Sequence, residues 1–276
     1  MPKTLTLDQR DQYETEGYCA PIKVMDPREM RAYQDRLESF ERAHPDAVGK
    51  LFQGPHLLFP WLNDIIRRPS LVGAIEDLLG PNLFCISTGF RIKEPGSAKF
   101  VGWHQDAYYL KYKPVWVIAL IAFTECTVEN GCLKVVAGSH RGPLLHHEDT
   151  YDKNSILTQG QRIDEPFPGD NVVPIELNPG ELLLFDAMMI HGSEPNRSKG
   201  RRITCFMDYC PTHTRRFGAR ASATLVAGVD HYNHYDHEPY PADDFGPQAL
   251  ALHRKLITMR NKASFVDQNR ISPALQ

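Results

Sequence analysis

Two metal-binding residue types stand two positions apart in His104-Gln105-Asp106, and a third, His191, follows far down the chain. Side chains at i and i+2 of a strand point to the same side, so an extended segment here lets His104 and Asp106 bite one ion together. His191 would then close a triangular face. Two imidazoles and one carboxylate in that arrangement are the ligand set of non-haem Fe(II) oxygenases, with positions left open for substrate and oxygen. Arg201 and Arg202 come next, where a neighbouring strand could use a guanidinium to grip a carboxylate at two points. A lone HxD is common, and ordinary strand histidines with a turn-capping Asp would account for the same residues. The surroundings add weight to a site. His104 follows a strand pattern and a Gly-containing turn, and His191 closely follows the apolar run Leu182-Leu183-Leu184-Phe185. Gly192-Ser193 suits a strand end where backbone and ligand approach closely.

Something rigid must position these residues. Up to about residue 80 the pattern is helical. Leu7 through Gly17 forms a short segment ending at Gly. Asp26-Pro27-Arg28-Glu29 is a helix start with Asp as cap, Pro at the first turn and Glu reaching back, and the helix runs to about His44, before Pro45. A third helix begins near Ser70, with Leu71, Ile75, Leu78 and Leu79 on one face, and stops at Gly80-Pro81. From Leu83 the texture changes to short β-branched or aromatic runs: 84–93, 115–123, 132–136, 172–177, 181–185 and 203–209. Asn178-Pro179-Gly180 is a tight turn between two of them. Many short strands with turn signals predict a sandwich or barrel. The segment 146–169 reads as a long loop of the kind that covers an active site. After Asp244 a helical pattern returns through Leu250, Leu252, Leu256 and Met259. A single domain is expected: a helical part at about 1–80, a β core at about 83–211, and a helical tail at about 245–262.

Between Leu83 and Tyr209 five pieces in order resemble the phytanoyl-CoA dioxygenase family of Fe(II)/2-oxoglutarate oxygenases. They are Trp103-His104-Gln105-Asp106, the run Thr127 to Leu133 (TVENGCL), Gly138-Ser139-His140, the run Pro179 to Phe185 (PGELLLF), and the run His191 to Asn196 (HGSEPN), closed by Arg202. The resemblance implies a mainly β fold, a double-stranded β-helix or jelly roll of cupin type, with flanking N-terminal and C-terminal helices. It implies His104, Asp106 and His191 as iron ligands and as the catalytic centre. Arg202 is implied as the clamp on the distal carboxylate of 2-oxoglutarate, with Ser193 and Lys93 beside it. Arg201 is the neighbouring alternative for that clamp, and spacing from His191 favours Arg202. O2 is the implied second co-substrate, and ascorbate a candidate reductant. The products are succinate, CO2 and a hydroxylated substrate. Related halogenases lack the carboxylate that Asp106 supplies here, so hydroxylation is the implied outcome.

Other residues invite a role. Arg215, Arg216 and Arg220 follow the last core strand and could clamp an anionic substrate group, or be solvated surface charge. Tyr108 and Tyr109 come straight after the ligand pair, and one of them should face the cavity unless both pack in the barrel. His231, His234 and His237 would share a helix face, but Gly228 and Pro239 argue for a loop. His146-His147 reads as loop too, and His140 as a structural hydrogen-bonding residue.

Composition narrows the class. The 276 residues, 42% hydrophobic, are enough for a sizeable core. With 31 basic and 34 acidic residues the net charge is -3, which gives no general attraction to nucleic acid. No apolar run approaches the ~20 residues that span a bilayer. No apolar signal core follows Met1, and six scattered cysteines without a CxxC pair suit reduced thiols, so a soluble cytoplasmic protein is expected. The expected partner is a small molecule: a polar or anionic metabolite of natural-product, amino-acid or aminophosphonate type, with an acyl-CoA as the alternative. No nucleic-acid or membrane partner is expected, and a homodimer is compatible with the sequence. Two other classes remain: a non-catalytic metal-binding jelly roll that binds or senses, and a zinc hydrolase using the same ligands.

Overall fold

The computed structural model describes residues 3–109, 112–114, 116–167, 169–217 and 220–267, with side chains to 260. The first helix, α1 (Leu7–Glu16), starts at a reciprocal cap. Thr6 Oγ1 accepts from the Gln9 amide, and the Gln9 side chain accepts from the Thr6 amide. Gly17, at φ +81, ends it and turns the chain into β1 (Tyr18–Lys23). The sequence pattern suggests only helix here. Pro21 obscures the strand, and it is tolerated because β1 lies at a sheet edge with one neighbour. Helix α2 (Pro27–Ala43) is capped by Asp26, which accepts from the Arg28 amide at 2.8 Å. Glu29 does not reach back as the sequence suggests, because it binds Arg68 through both oxygens at 2.5 and 2.7 Å. A short α3 (Pro60–Ile66), not foreseen, precedes α4 (Pro69–Leu79), which ends at Gly80.

The strands then follow as β2 (Leu83–Lys93), β3 (Val101–His104), β4 (Tyr112–Lys113), β5 (Val117–Ala122), β6 (Leu133–Val136), β7 (His147–Asp149) and β8 (Gln161–Ile163). Next come β9 (Val172–Ile175), β10 (Glu181–Asp186), β11 (His191–Ser193), β12 (Arg202–Pro211), β13 (Arg215–Arg216), β14 (Ala221–Ala227), β15 (Tyr235–His237) and helix α5 (Pro247–Asp267). Val115, in the strand expected at 115–123, lies outside the described residues. A seven-stranded sheet runs β1-β10-β5-β12-β2-β14-β15 and a four-stranded one β3-β11-β6-β9. Together they form the two walls of a jelly roll. Two departures matter for the site. The expected loop at 146–169 contains the β7–β8 hairpin, and the large sheet continues past residue 211 through β14 and β15.

Alternation along the central strands decides what faces where. On β12, Ile203, Cys205, Met207 and Tyr209 join the core under the helices with Leu37, Phe59 and Ile75. On β5, the even-numbered Ile118, Leu120 and Ala122 face inward against Phe185 and Val135, while the odd-numbered residues face the helices. Because both faces of β5 are covered, it reads as one continuous apolar run. The inward face of β12 carries Arg202, Thr204, Phe206 and Asp208 instead. The central strand is apolar on its helix side and polar inside the barrel.

A buried polar knot ties α5 to this barrel. Glu238 accepts from Ser222 at 2.7 Å, Thr224 at 2.8 Å and Arg260 of α5 at 2.6 Å, and it lies 3.0 Å from His56 Nε2. Burial alone would raise the Glu238 pKa. The Arg260 charge and the bonds from His56 and Ser222 outweigh it and hold the carboxyl down at about 2. A carboxylate depressed on folding contributes stability that is present above its unfolded pKa. That stability is lost as pH falls from about 4.5 toward about 2. Glu238→Ala also strands Arg260 and three polar partners, which costs about 3–5 kcal/mol. Thermal unfolding at pH 7 should shift down by roughly 10 °C. The deficit relative to wild type should shrink below pH 4.5. A constant deficit across that window would show that Glu238 acts only through packing.

Candidate metal centre and substrate cavity

Strands β3 and β11 are antiparallel neighbours, and His104 and His191 are direct cross-strand partners with ring centroids 4.1 Å apart. Each ring is oriented by its own backbone. His104 Nδ1–H donates to the Gly102 carbonyl at 2.9 Å, and His191 Nδ1–H to the Met189 carbonyl at 3.0 Å. Those bonds fix one tautomer, so both Nε2 atoms present lone pairs to the same point. Asp106 supplies the third donor. It is not on a strand, as the i, i+2 reading assumed, because β3 stops at His104. The chain then makes a single 3-10 turn over Asp106–Tyr108, pinned by the Ala107 amide on the Ala187 carbonyl at 3.0 Å. The carboxylate still reaches both rings, 3.4 Å from His104 Nε2 and 3.6 Å from His191 Nε2. The three donor atoms lie within 4.8 Å of one another, the separation one ion needs.

The electrostatics suit a cation. Burial and the neighbouring His104 lower His191 to about 4, so it stays neutral with its lone pair available. Burial would raise Asp106, but His104 and His191 hold it at about 2, so it is an anion. The residue between the ligands is structural. Gln105 is fully buried and donates to the Pro143 and Met188 carbonyls while accepting from the Leu145 amide. It therefore locks both ligand-bearing segments together. The Gln105 amide donates to His147 Nε2 at 2.8 Å, and burial lowers His147 to about 4.

One end of the same cavity is cationic. Arg202, 2% exposed, is the cross-strand partner of Lys93, which is 0% exposed. Lys93 Nζ donates to Ser193 Oγ at 2.7 Å and to the carbonyls of Gly131 and Glu194. Burial, then the Arg202 charge, lowers Lys93 to about 7. Arg202 Nε and Nη2 are buried without a hydrogen-bond partner among the described residues. Such a pair is costly unless an anion joins it. The family-like turn at 127–133 explains itself here. Gly131 has φ +74, and a Cβ on it would sit 2.2 Å from the Glu194 carbonyl oxygen, so only Gly lets this turn touch the Lys93 nest.

Arg201 points elsewhere. It sits on the surface, clasped by Glu41 at 3.0 Å and Glu94 at 2.8 Å. The cavity wall includes Arg216, while Arg215 and Arg220 stay outside it. Arg215 lies 3.3 Å from His234, and Arg220 pairs with Asp236 at 2.7 Å; both are surface contacts. Tyr108 and Tyr109 also lie off the cavity. Tyr108 stacks on His147 with centroids 4.3 Å apart, because the 3-10 turn breaks the strand alternation that should have aimed one of them inward. Tyr112 does line the cavity. His140 makes no bond through Nδ1 among the described residues. Its neighbour Ser139 instead accepts from the Ile190 amide at 2.9 Å, steadying the approach to His191. His237 pairs with Asp230, and the His231–His237 stretch forms no metal cluster among the described residues.

Three charged residues of the inner surface have no place in the sequence reading. Arg91 stacks its guanidinium 3.9 Å over the Phe52 ring and donates to the Phe52 carbonyl. Asp208 and Arg260 also line the cavity. Counting in twos from Lys93 reaches Arg91, and from Arg202 reaches Asp208. That alternation was the available signal.

A jelly-roll cavity bearing two imidazoles and a carboxylate on one face defines a mononuclear non-haem metalloprotein. Comparison with known proteins is narrower. Residues 13–204 match the model of the phytanoyl-CoA dioxygenase family (PhyH). A probable phytanoyl-CoA dioxygenase of Caenorhabditis elegans is 32% identical over 233 residues, covering 73% of this chain and 74% of that protein. A probable alpha-ketoglutarate-dependent hypophosphite dioxygenase of Stutzerimonas stutzeri is 25% identical over 221 residues, covering 74% and 70%. Among solved structures, the apo form of the non-heme monooxygenase ThoJ superimposes with a TM-score of 0.84 at 26% identity, covering 94% of this chain and 99% of that one. The chain belongs to the phytanoyl-CoA dioxygenase family. No helix among the described residues is long and apolar enough to cross a membrane.

Proposed function

We propose that the chain is an Fe(II)- and 2-oxoglutarate-dependent dioxygenase that hydroxylates a small polar or anionic metabolite of natural-product, amino-acid or aminophosphonate type. One observation carries the reading. A His/Asp/His face shares its cavity with Arg202, a buried guanidinium two of whose nitrogens lack partners. A purely structural metal site has no use for that cation, and an oxo-diacid co-substrate does. His104, Asp106 and His191 would hold the iron. Arg202, with Lys93 and Ser193 beside it, would hold the far carboxylate of 2-oxoglutarate. When bound, iron and 2-oxoglutarate together supply the oxidising power for hydroxylation by O2, with succinate and CO2 as co-products.

The protein supplies orientation. Arg202 and Lys93 receive negative charge at buried positions, where such contacts are worth most. Leu157, from the segment joining β7 and β8, and Phe206 wall the cavity with apolar surface. Arg216 is the contact for an anionic substrate group, the role the sequence suggested for three arginines. The six unbridged thiols support a reducing, cytosolic compartment.

Incubation with Fe(II), ascorbate and labelled 2-oxoglutarate in air should release succinate and CO2, and iron omission should abolish the release. A binding module would release neither. A zinc hydrolase would act without oxygen or 2-oxoglutarate. In the same assay Arg216→Ala should raise the half-saturating concentration of an anionic substrate about tenfold or more. Arg215→Ala and Arg220→Ala should stay within about twofold, as exposed pairs do. Equal effects at all three positions would place the anion contact outside the cavity.

A further inference from the structure

We propose that the prime substrate carries a cationic group, a protonated amine or amidine, and that Asp208 receives it. This rests on the oxygenase reading and names the substrate class of that same site. Asp208 lies on the inward face of β12, in phase with Arg202 and six residues along, or about 20 Å of strand. The two stand well apart along one wall of the cavity, Arg202 for the co-substrate and Asp208 offering a carboxylate in a wall that also carries Arg91, Arg216 and Arg260. Its cross-strand neighbour on β2 is Ser87, and Ser87 and Ser222 both line the cavity with it. Hydroxyl oxygens beside a carboxylate make a receptor for an N–H cation.

Three other enclosed carboxylates among the described residues are held by the protein itself. Asp77 accepts from three backbone amides, Asp230 from two amides and His237, and Glu238 from Ser222, Thr224 and Arg260. Asp208 differs from them. Among the described residues its carboxylate has no hydrogen bond and no ion pair, although its backbone is paired in the β12 ladders. Two guanidinium groups act on it by charge while bonding elsewhere: Arg91 donates to the Phe52 and Phe90 carbonyls, and Arg260 to Glu238 at 2.6 Å. Burial, then the Asp106 charge, pushes Asp208 up to about 8 against the opposing charges of Arg91 and Arg260, so the anion gains from a donor placed directly against it. Structure alone gives this carboxyl nothing to do: it holds no turn, caps no helix and bridges no strands. Its partner has to come from the cavity.

The test uses a probe pair differing only at the group in question: 5-aminopentanoate and its isostere hexanoate, which replaces the ammonium by methyl. Both are titrated calorimetrically, under nitrogen, into the full chain loaded with Fe(II) and 2-oxoglutarate. Wild type should bind the ammonium member about tenfold tighter or better. Asp208→Asn, which keeps the shape, should bring the ratio close to one, and Asp208→Glu should keep part of it. Equal binding by wild type, a preference for hexanoate, no binding of either, or a ratio unchanged in Asp208→Asn overturns the proposal. Succinate release by the same preparations is scored separately. Its absence with the ammonium preference intact removes the oxygenase reading and leaves the cation receptor standing.

Discussion

Replacing Arg202 by Ala should raise the 2-oxoglutarate concentration for half-maximal turnover by about thirtyfold or more. The saturation curve of the prime substrate should hardly move. Arg202 is 2% exposed, and its Nε and Nη2 have no partner among the described residues, so any carboxylate it meets is gripped in a dry site. Removing one side of a desolvated charge pair costs about 2–5 kcal/mol, and about 2 kcal/mol already corresponds to that factor. Lys93, its cross-strand partner, cannot take over. Its ammonium is bonded to Ser193 and two carbonyls, and a point charge cannot reproduce a two-pronged grip. For the same reason Arg202→Lys should recover only part of the loss. Arg201→Ala should change the 2-oxoglutarate requirement by less than about twofold, since its pairs with Glu41 and Glu94 are at the surface. A reversed pattern would move the clamp to Arg201 and contradict the burial of Arg202.

The positions of these two arginines show what a sequence carries. Adjacent strand residues face opposite sides, so at most one of them could enter the barrel, and the apolar Ile203, Cys205, Met207 and Tyr209 already indicated which phase was helix-covered. The helices at 7–17, 26–44 and 70–80 were legible from their caps, and the strands from β-branched runs. What was hidden depended on tertiary context. β1 contains Pro21 and forms only because β10 offers an edge partner. Asp106 leaves the strand because Ala187 captures the next amide, and that turn diverts Tyr108 and Tyr109 from the cavity. Arg215 and Arg220 are separated from Arg216 by local partners, His234 and Asp236, on a segment too short to show periodicity. The triad was easier to see, because its chemistry is strict and two of its members stand two positions apart. Asp208 needed both: an alternation pattern in the sequence, and a structure in which Asp77, Asp230 and Glu238 could be seen to be occupied.

His104→Ala, Asp106→Ala and His191→Ala should each reduce iron-dependent succinate release to background. Three protein ligands are the minimum that hold one face of a six-coordinate ion, so two leave it exchangeable and misdirected. The fold should survive, because an open site contributes less to folding than a closed structural one, and because the backbone bonds around these residues do not run through the metal. Thermal unfolding separates the two effects. Metal at about one hundred times its dissociation constant should stabilise wild type by about 2.7 kcal/mol, since only the native state brings the three donors within 4.8 Å. Each variant should unfold close to metal-free wild type and gain little from added metal. Asp106→Asn is the sharper probe. It keeps the volume and removes the anionic donor, so metal-free stability should change less than in the Ala variant while the response to metal collapses. A variant that kept both turnover and the metal-induced shift would remove that residue from the ligand set. One that kept the shift but lost turnover would show that the ion is held by other donors and that the residue acts on the substrate instead.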